Sequence, residues 1–204
     1  MPAKSDASFT FDLCGGYPAV DFANTVSSRH TASPIERLTG YDALVAFAEQ
    51  SQLLDPPHAA RLRRWADGHP DAARALVTRA IELREALYGV FSAIAEQKPP
   101  PGPALEVLNR WWGSMRLGPT FTWQWAAGPE APEAVLGTIM LSAIDLLTSP
   151  RRERIRSCGA DDCLWLFLDT SKNGSRRWCD MNQCGNRTKA RRFYQRRREA
   201  PDEG

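Results

Sequence analysis

Four of the chain's five cysteines fall in one stretch, as Cys158-x4-Cys163 and, after fifteen intervening residues, Cys179-x4-Cys184. Two close pairs separated by a loop can bring four thiolates to one point. A d10 ion such as zinc accepts that set as a closed tetrahedron, because it imposes no directional preference of its own. The spacing therefore predicts one structural Zn2+ held by Cys158, Cys163, Cys179 and Cys184, with no open position for chemistry. A dithiol oxidoreductase would instead carry Cys-x-x-Cys beside a βαβ pattern, and neither is present. Stable disulfides do not suit a reducing compartment. Cys14 lies far away in sequence and reads as a small buried apolar residue.

The residues around the pairs predict how the metal is framed. Residues 164–169 (LWLFLD) are strand-like, Asn173-Gly174 is the dipeptide favoured in type I′ hairpin turns, and residues 175–179 read as the returning strand. Residues 185–199 hold strong helix formers and no breaker. Knuckle, hairpin and helix in that order make a treble-clef type of finger. The expected fold class is α+β: a mostly helical N-terminal domain with a small β element over residues 1–150, then a zinc finger over residues 151–204.

The formal charge of +2 hides a split. Residues 151–204 carry 14 Lys+Arg against 8 Asp+Glu, and the rest of the chain is formally −4. Four thiolates and one Zn2+ would add −2 and leave the finger near +4. Residues 172–198 contain 10 basic residues and a single acidic one, Asp180. On a helix, Arg187, Arg191 and Arg198 share one face, and Lys189, Arg192 and Arg196 another. Together with Arg176 and Arg177 on the expected return strand, such a surface can neutralise phosphates. The competing reading is a solvated helix, basic by composition, with some arginines offsetting its C-terminal dipole. The scarcity of interspersed Glu favours nucleic acid. Phe193 is expected to pack back on the hairpin.

Upstream, apolar spacing predicts helices near 18–27, over 41–51 with Thr39 as cap, from Pro56 to Gly68, over 70–97, over 104–115, and from Pro132 to about Thr148. In the 70–97 helix, Leu76, Ala80, Leu83, Leu87, Val90 and Ile94 form a stripe that leaves Arg74, Glu82, Arg84 and Glu85 towards water. The last of these helices is apolar nearly all round, which predicts burial. Residues 120–125 alternate, predicting a half-buried strand with Phe121, Trp123 and Trp125 on one side. Asp21, Asn24 and Arg29 are polar residues in or beside an apolar segment. They either line a ligand pocket or satisfy buried backbone groups.

No catalytic constellation is visible, so the chain reads as a non-enzyme. The first fifteen residues lack a secretory pattern, and no apolar run approaches a membrane span, which predicts a soluble, cytoplasmic protein without a membrane partner. Its oligomeric state is left open.

The string CGADDCLWLFLDTSKNGSRRWCDMNQCGNRTKARRFYQRRR resembles the CGNR zinc-finger family, whose hallmark here is Cys184-Gly185-Asn186-Arg187. The segment YPAVDFANTVSSR is similar to the opening of the ABATE domain, which precedes this finger in bacterial proteins described as stress-induced transcription regulators. The resemblance implies zinc on the same four cysteines and DNA as partner. It leaves open a zinc-stabilised module for RNA or protein, with Trp165 or Phe167 stacking on bases, and a ligand-sensing N-terminal domain. Gly185 is expected to serve tight backbone near the metal and Asn186 to tie the helix start to the hairpin. Arg187 is expected to pair with Asp169 or a phosphate.

Overall fold

The computed structural model describes residues 9–128 and 130–199; part of the N-terminal stretch read for a leader, and the last residues of the expected finger, lie outside them. Seven α-helices are described: α1 (Pro18–Ala23), α2 (Tyr41–Gln50), α3 (Pro56–Gly68), α4 (Pro70–Ala95), α5 (Gly102–Trp112), α6 (Ala134–Thr148) and α7 (Asn186–Glu199). Six short strands pair as three antiparallel ribbons: β1 (Val26–Ser27) with β2 (Ile35–Glu36), β3 (Met115–Leu117) with β4 (Trp123–Trp125), and β5 (Ile155–Ser157) with β6 (Leu166–Leu168). Among the described residues no helix is long and apolar enough to cross a membrane.

The spine is α4. Pro70 opens it, at a position where the missing N–H costs nothing. Ala73, Leu76, Ala80, Leu83, Leu87 and Val90 then bury one face along its length. Leu83 and Leu87 are wholly buried, and truncating either to Ala would cost about 3 kcal/mol. Helix α6 shares the same core and is buried at Val135, Leu136, Ile139, Met140, Ala143 and Leu146, as its all-round apolar character predicts. The short α1 wedges between them, with every residue from Ala19 to Ala23 buried. Asp55 caps α3 by accepting from the His58 amide at 2.7 Å.

Four local expectations are corrected. The first helix stops at Ala23, because the Asn24 side chain is engaged by Leu166, 142 residues away, and the chain then enters β1. Gly40, with no side-chain cap, starts α2 in place of Thr39. Arg84 does not face water: it is 3% exposed and gives a bidentate pair to Glu36, which reaches it from β2, with Nη2 to Oε2 at 2.8 Å. Burial pulls the Glu36 carboxyl up, but Arg84 together with the Leu38 and Arg37 amides holds it below its ordinary range. Phe121 is not part of a half-buried strand. It sits at the tip of the β3–β4 ribbon with φ 58° and is 86% exposed, while Trp125 alone of the alternating set is buried.

The finger's hairpin also forms differently. Residues 164–169 do not pair with 175–179. β6 pairs with the upstream β5, so the Cys158–Cys163 knuckle is the loop of that ribbon. Asp169 closes the next loop from inside. Its Oδ1 accepts from the amide and hydroxyl of Ser171 at 2.9 and 2.6 Å, and its Oδ2 from the Arg176 amide at 3.1 Å. Those bonds lock a broad turn in place of a tight hairpin, with Gly174 supplying a φ of 60°.

β6 joins the two parts of the fold. Leu166 and Leu168 face the main core beside Ile155, and Phe167 faces a second, smaller core with Cys158, Ala160, Cys179 and Cys184. The Leu168 amide donates to the Gly15 carbonyl at 2.8 Å, and Trp165 Nε1 to the Val26 carbonyl at 3.0 Å.

Candidate metal centre

Cys158 follows β5 directly, and its amide donates to the Trp165 carbonyl at 2.8 Å, closing the knuckle. Cys163 is turned inward by its amide bond to the Ala160 carbonyl, 3.0 Å. The Gly159 amide reaches the Arg177 carbonyl at 2.8 Å and stitches the knuckle to the segment carrying the second pair. Asp180 then caps a single π-type turn, Met181–Gly185, by accepting from the Gln183 amide at 2.9 Å. That turn delivers Cys184 at the entry to α7. A Cβ on Gly185 would lie 2.6 Å from Met181 Sδ, so the tight backbone expected there is present.

The four sulfurs all lie within 4.8 Å of one another, with Cys163–Cys179 and Cys179–Cys184 both at 3.7 Å. A tetrahedron with Zn–S bonds of about 2.3 Å has S···S edges of about 3.8 Å. The donor set and its spacing therefore fit one zinc ion. Without a cation these thiols restrain one another. Hydrogen bonds from Cys163 and Cys179 push the Cys158 thiol down to about 2, while its bond to Cys158 pushes Cys163 up to about 12. Cys179 is raised through Cys14, Cys158 and Cys163, and Cys184 chiefly by burial. A divalent cation at the centre lifts that restraint and makes four thiolates compatible. The site is closed and structural; the chemistry zinc supplies is cross-linking.

Outer groups fix the ligands. Arg187 Nη2 donates to Cys184 Sγ at 3.4 Å and to Asp162 Oδ1 at 2.9 Å, and Arg191 Nη1 pairs with Asp162 Oδ2 at 2.8 Å. Asp162 thus clamps the first turns of α7 to the knuckle, and the two arginines hold its carboxyl below the ordinary range against the pull of burial. Asp169, expected as the partner of Arg187, is committed to its own loop. Arg176 lies over the Phe167 ring at 4.5 Å and donates to the carbonyls of Trp178 at 3.0 Å, of Cys14 at 2.8 Å, and of Cys179. Its donors therefore point into the protein. Cys14, expected as a small buried apolar residue, is half-buried and packs against the thiol cluster. No sequence signal links residues so far apart.

The remaining predicted residues lie at two places. Arg177, Lys189, Arg192 and Arg196 are exposed, and Asn186 is exposed with no side-chain bond to the hairpin among the described residues. Phe193 and Tyr194 are also exposed and meet edge to face, so Phe193 does not pack back. Phe167 is fully buried and so is not free to stack on bases, while Trp165 is half-buried with its indole N–H tied to the Val26 carbonyl. Asp21 and Asn24 line the seam between the two cores. Asn24 accepts from the Leu166 amide at 2.9 Å and donates to its carbonyl at 2.8 Å, and Asp21 accepts from Gly15 at 2.7 Å. They satisfy buried backbone groups. Arg29 is bidentate to Glu85 at 2.7 and 3.0 Å and lies 4.0 Å from the Tyr88 ring centroid, apart from Asp21 and Asn24.

The family profile "ABATE: Putative stress-induced transcription regulator" matches residues 16–150, the greater part of the chain. The chain belongs to the ABATE family. A second profile, "CGNR zinc finger", matches residues 154–197 and takes in all four thiol ligands. The two matches reproduce the ABATE-then-CGNR arrangement, and with it a zinc-finger protein of a family described in regulatory terms. A comparison with curated proteins found no match.

Proposed function

We propose that the chain is a DNA-binding transcription regulator, cytoplasmic and without enzymatic activity, in which structural zinc holds α7 against duplex DNA. The observation that carries this reading is the state of the cations on α7. Of its basic residues only Arg187 and Arg191 have an acidic partner, Asp162; Lys189, Arg192, Arg196, Arg197 and Arg198 have none among the described residues. From Lys189 onward every residue of α7 whose side chain is described is exposed. A 14-residue helix is about 21 Å long and fits the major groove, where such cations meet phosphates. The exposed Asn186 stands where a donor–acceptor amide could reach a base edge.

The test is fluorescence anisotropy of the zinc-loaded protein on mixed-sequence duplex DNA across a salt series. Four to five phosphate contacts predict a log–log slope of about −4. No binding at low salt would overturn the reading. Exposed Phe193 and Tyr194 favour a second reading, a module for single-stranded RNA or protein. Competition with single-stranded RNA separates the two, since the duplex should win under the first.

A further inference from the structure

The chain holds five cysteines, and the zinc site takes four. The fifth, Cys14, has no place in a closed tetrahedron, yet it stays beside the site. It packs against the small core that contains Cys158, Cys179 and Cys184. The backbone shows which ligand it adjoins. Arg176 Nη2 donates to the Cys14 carbonyl at 2.8 Å and, from the same nitrogen, to the Cys179 carbonyl. One donor holds two acceptors only when they lie side by side, so residues 14 and 179 are neighbours. The segment after Cys14 is pinned as well. The Gly15 amide donates to Asp21 Oδ1 at 2.7 Å, and its carbonyl accepts from the Leu168 amide at 2.8 Å. Cys14 is thus held against the second ligand pair.

Cys14 is half-buried, as Cys163 is, whereas Cys158, Cys179 and Cys184 are buried. A small oxidant therefore meets the Cys14 sulfur before it meets most of the ligands, and no metal bond occupies that sulfur. Thiol oxidation follows exposure and thiolate character. We infer that Cys14 is an oxidation site for hydroperoxides, and that its oxidation draws Cys179 into a disulfide and opens the zinc site. With hydrogen peroxide, the Cys14 sulfur attacks one oxygen and the O–O bond breaks. Cys14 becomes a sulfenic acid, and the leaving hydroxide takes up the thiol proton as water. The Cys179 thiolate then attacks the Cys14 sulfur, the S–O bond breaks, and the second hydroxide takes a proton from solvent. The two sulfurs lose two electrons between them, and the peroxide becomes two waters. Cys179 is withdrawn from the tetrahedron, and three thiolates no longer close it. A dithiol reductant reverses the bond, so the step suits a compartment where disulfides are transient. The inference rests on the thiol site and stands whether or not α7 binds DNA.

The test treats the full zinc-loaded chain with about 1 mM hydrogen peroxide and follows zinc release with a chromogenic chelator. Disulfides are then mapped by mass spectrometry of the unreduced digest. Wild type should release its zinc and yield a Cys14–Cys179 peptide pair, and a dithiol with added Zn2+ should restore the metal. Cys14→Ser keeps all four ligands. It should start with one zinc and release it about tenfold more slowly than wild type. Cys14→Ala should behave alike, which separates loss of the thiol from any effect of a hydroxyl beside the cluster. The disulfide map is read on wild type and does not depend on either variant folding. Equal release from wild type and zinc-loaded Cys14→Ser would overturn the inference. So would a wild-type map in which Cys14 stays free or joins a cysteine other than Cys179, or a Cys14–Cys179 bond that forms with the zinc retained.

Discussion

Asp21 carries a buried carboxyl, 6% exposed. Burial raises it to about 7, against the pull of the Gly15 and Tyr17 amides and the Arg176 charge. A carboxyl raised on folding binds its proton more tightly in the native state. Its stabilising contribution is complete below the unfolded value near 4 and is lost as pH rises towards 7. Denaturation midpoints of wild type and Asp21→Asn between about pH 5.5 and 7.5 should therefore diverge, with wild type losing ground as pH rises. A constant difference would refute this. Among single residues, polarity inside an apolar segment was legible at Asp21 and Asn24, and both do satisfy buried backbone groups. Arg84 was not legible: helical periodicity describes the face a residue occupies, not the distant carboxylate, here Glu36, that later covers it. The inward bonds of Arg176 were not legible for a similar reason, since its carbonyl partners at Cys14 and Cys179 come together only in the folded chain.

At the scale of elements, helices were easier to read than ribbons. The stripes of α4 and α6 and the proline at the start of α4 are local signals, and their positions hold within a few residues. The strands are two or three residues long, too short for alternation to identify, and their pairing is decided elsewhere. β6 pairs upstream because Asp169 and Ser171 hold the following segment in a broad turn. The thiol cluster was fully legible, because ligand spacing is itself the constraint. This pairing refines what loss of zinc should do. In Cys179→Ser, hydrogen exchange should rise to near free-chain rates over 171–198, while β5 and β6 stay protected, because Ile155, Leu166 and Leu168 belong to the main core. Equal loss of protection in β5 and β6 would show that zinc, not the core, holds that ribbon.

For the whole molecule, the profile boundary between residues 150 and 154 is not a gap in the packing. Ile155, Leu166 and Leu168 complete an interior built from α1, α4 and α6, and Tyr88 on α4 donates to the Leu164 carbonyl at 2.8 Å. A fragment of residues 151–204 should therefore fail to reach a dispersed, cooperatively melting state even with zinc, because its ribbon would expose three core side chains. Amide dispersion and a thermal transition equal to those of the intact chain would refute this. The charge split was legible at this scale, as was the order of helical part and finger. The shared strand was not, because nothing in LWLFLD marks which side chains point to which interior.

That strand bears on how such a chain can change over generations. Successive residues of a strand face opposite sides, so Leu166-Phe167-Leu168 addresses two interiors in alternation. Deleting or inserting one codon within it would turn Phe167 into the helical core and a leucine towards the thiols. The finger is thus a poor cassette for recombination, and lineages that exchange it must also inherit the groove formed by α1 and α4.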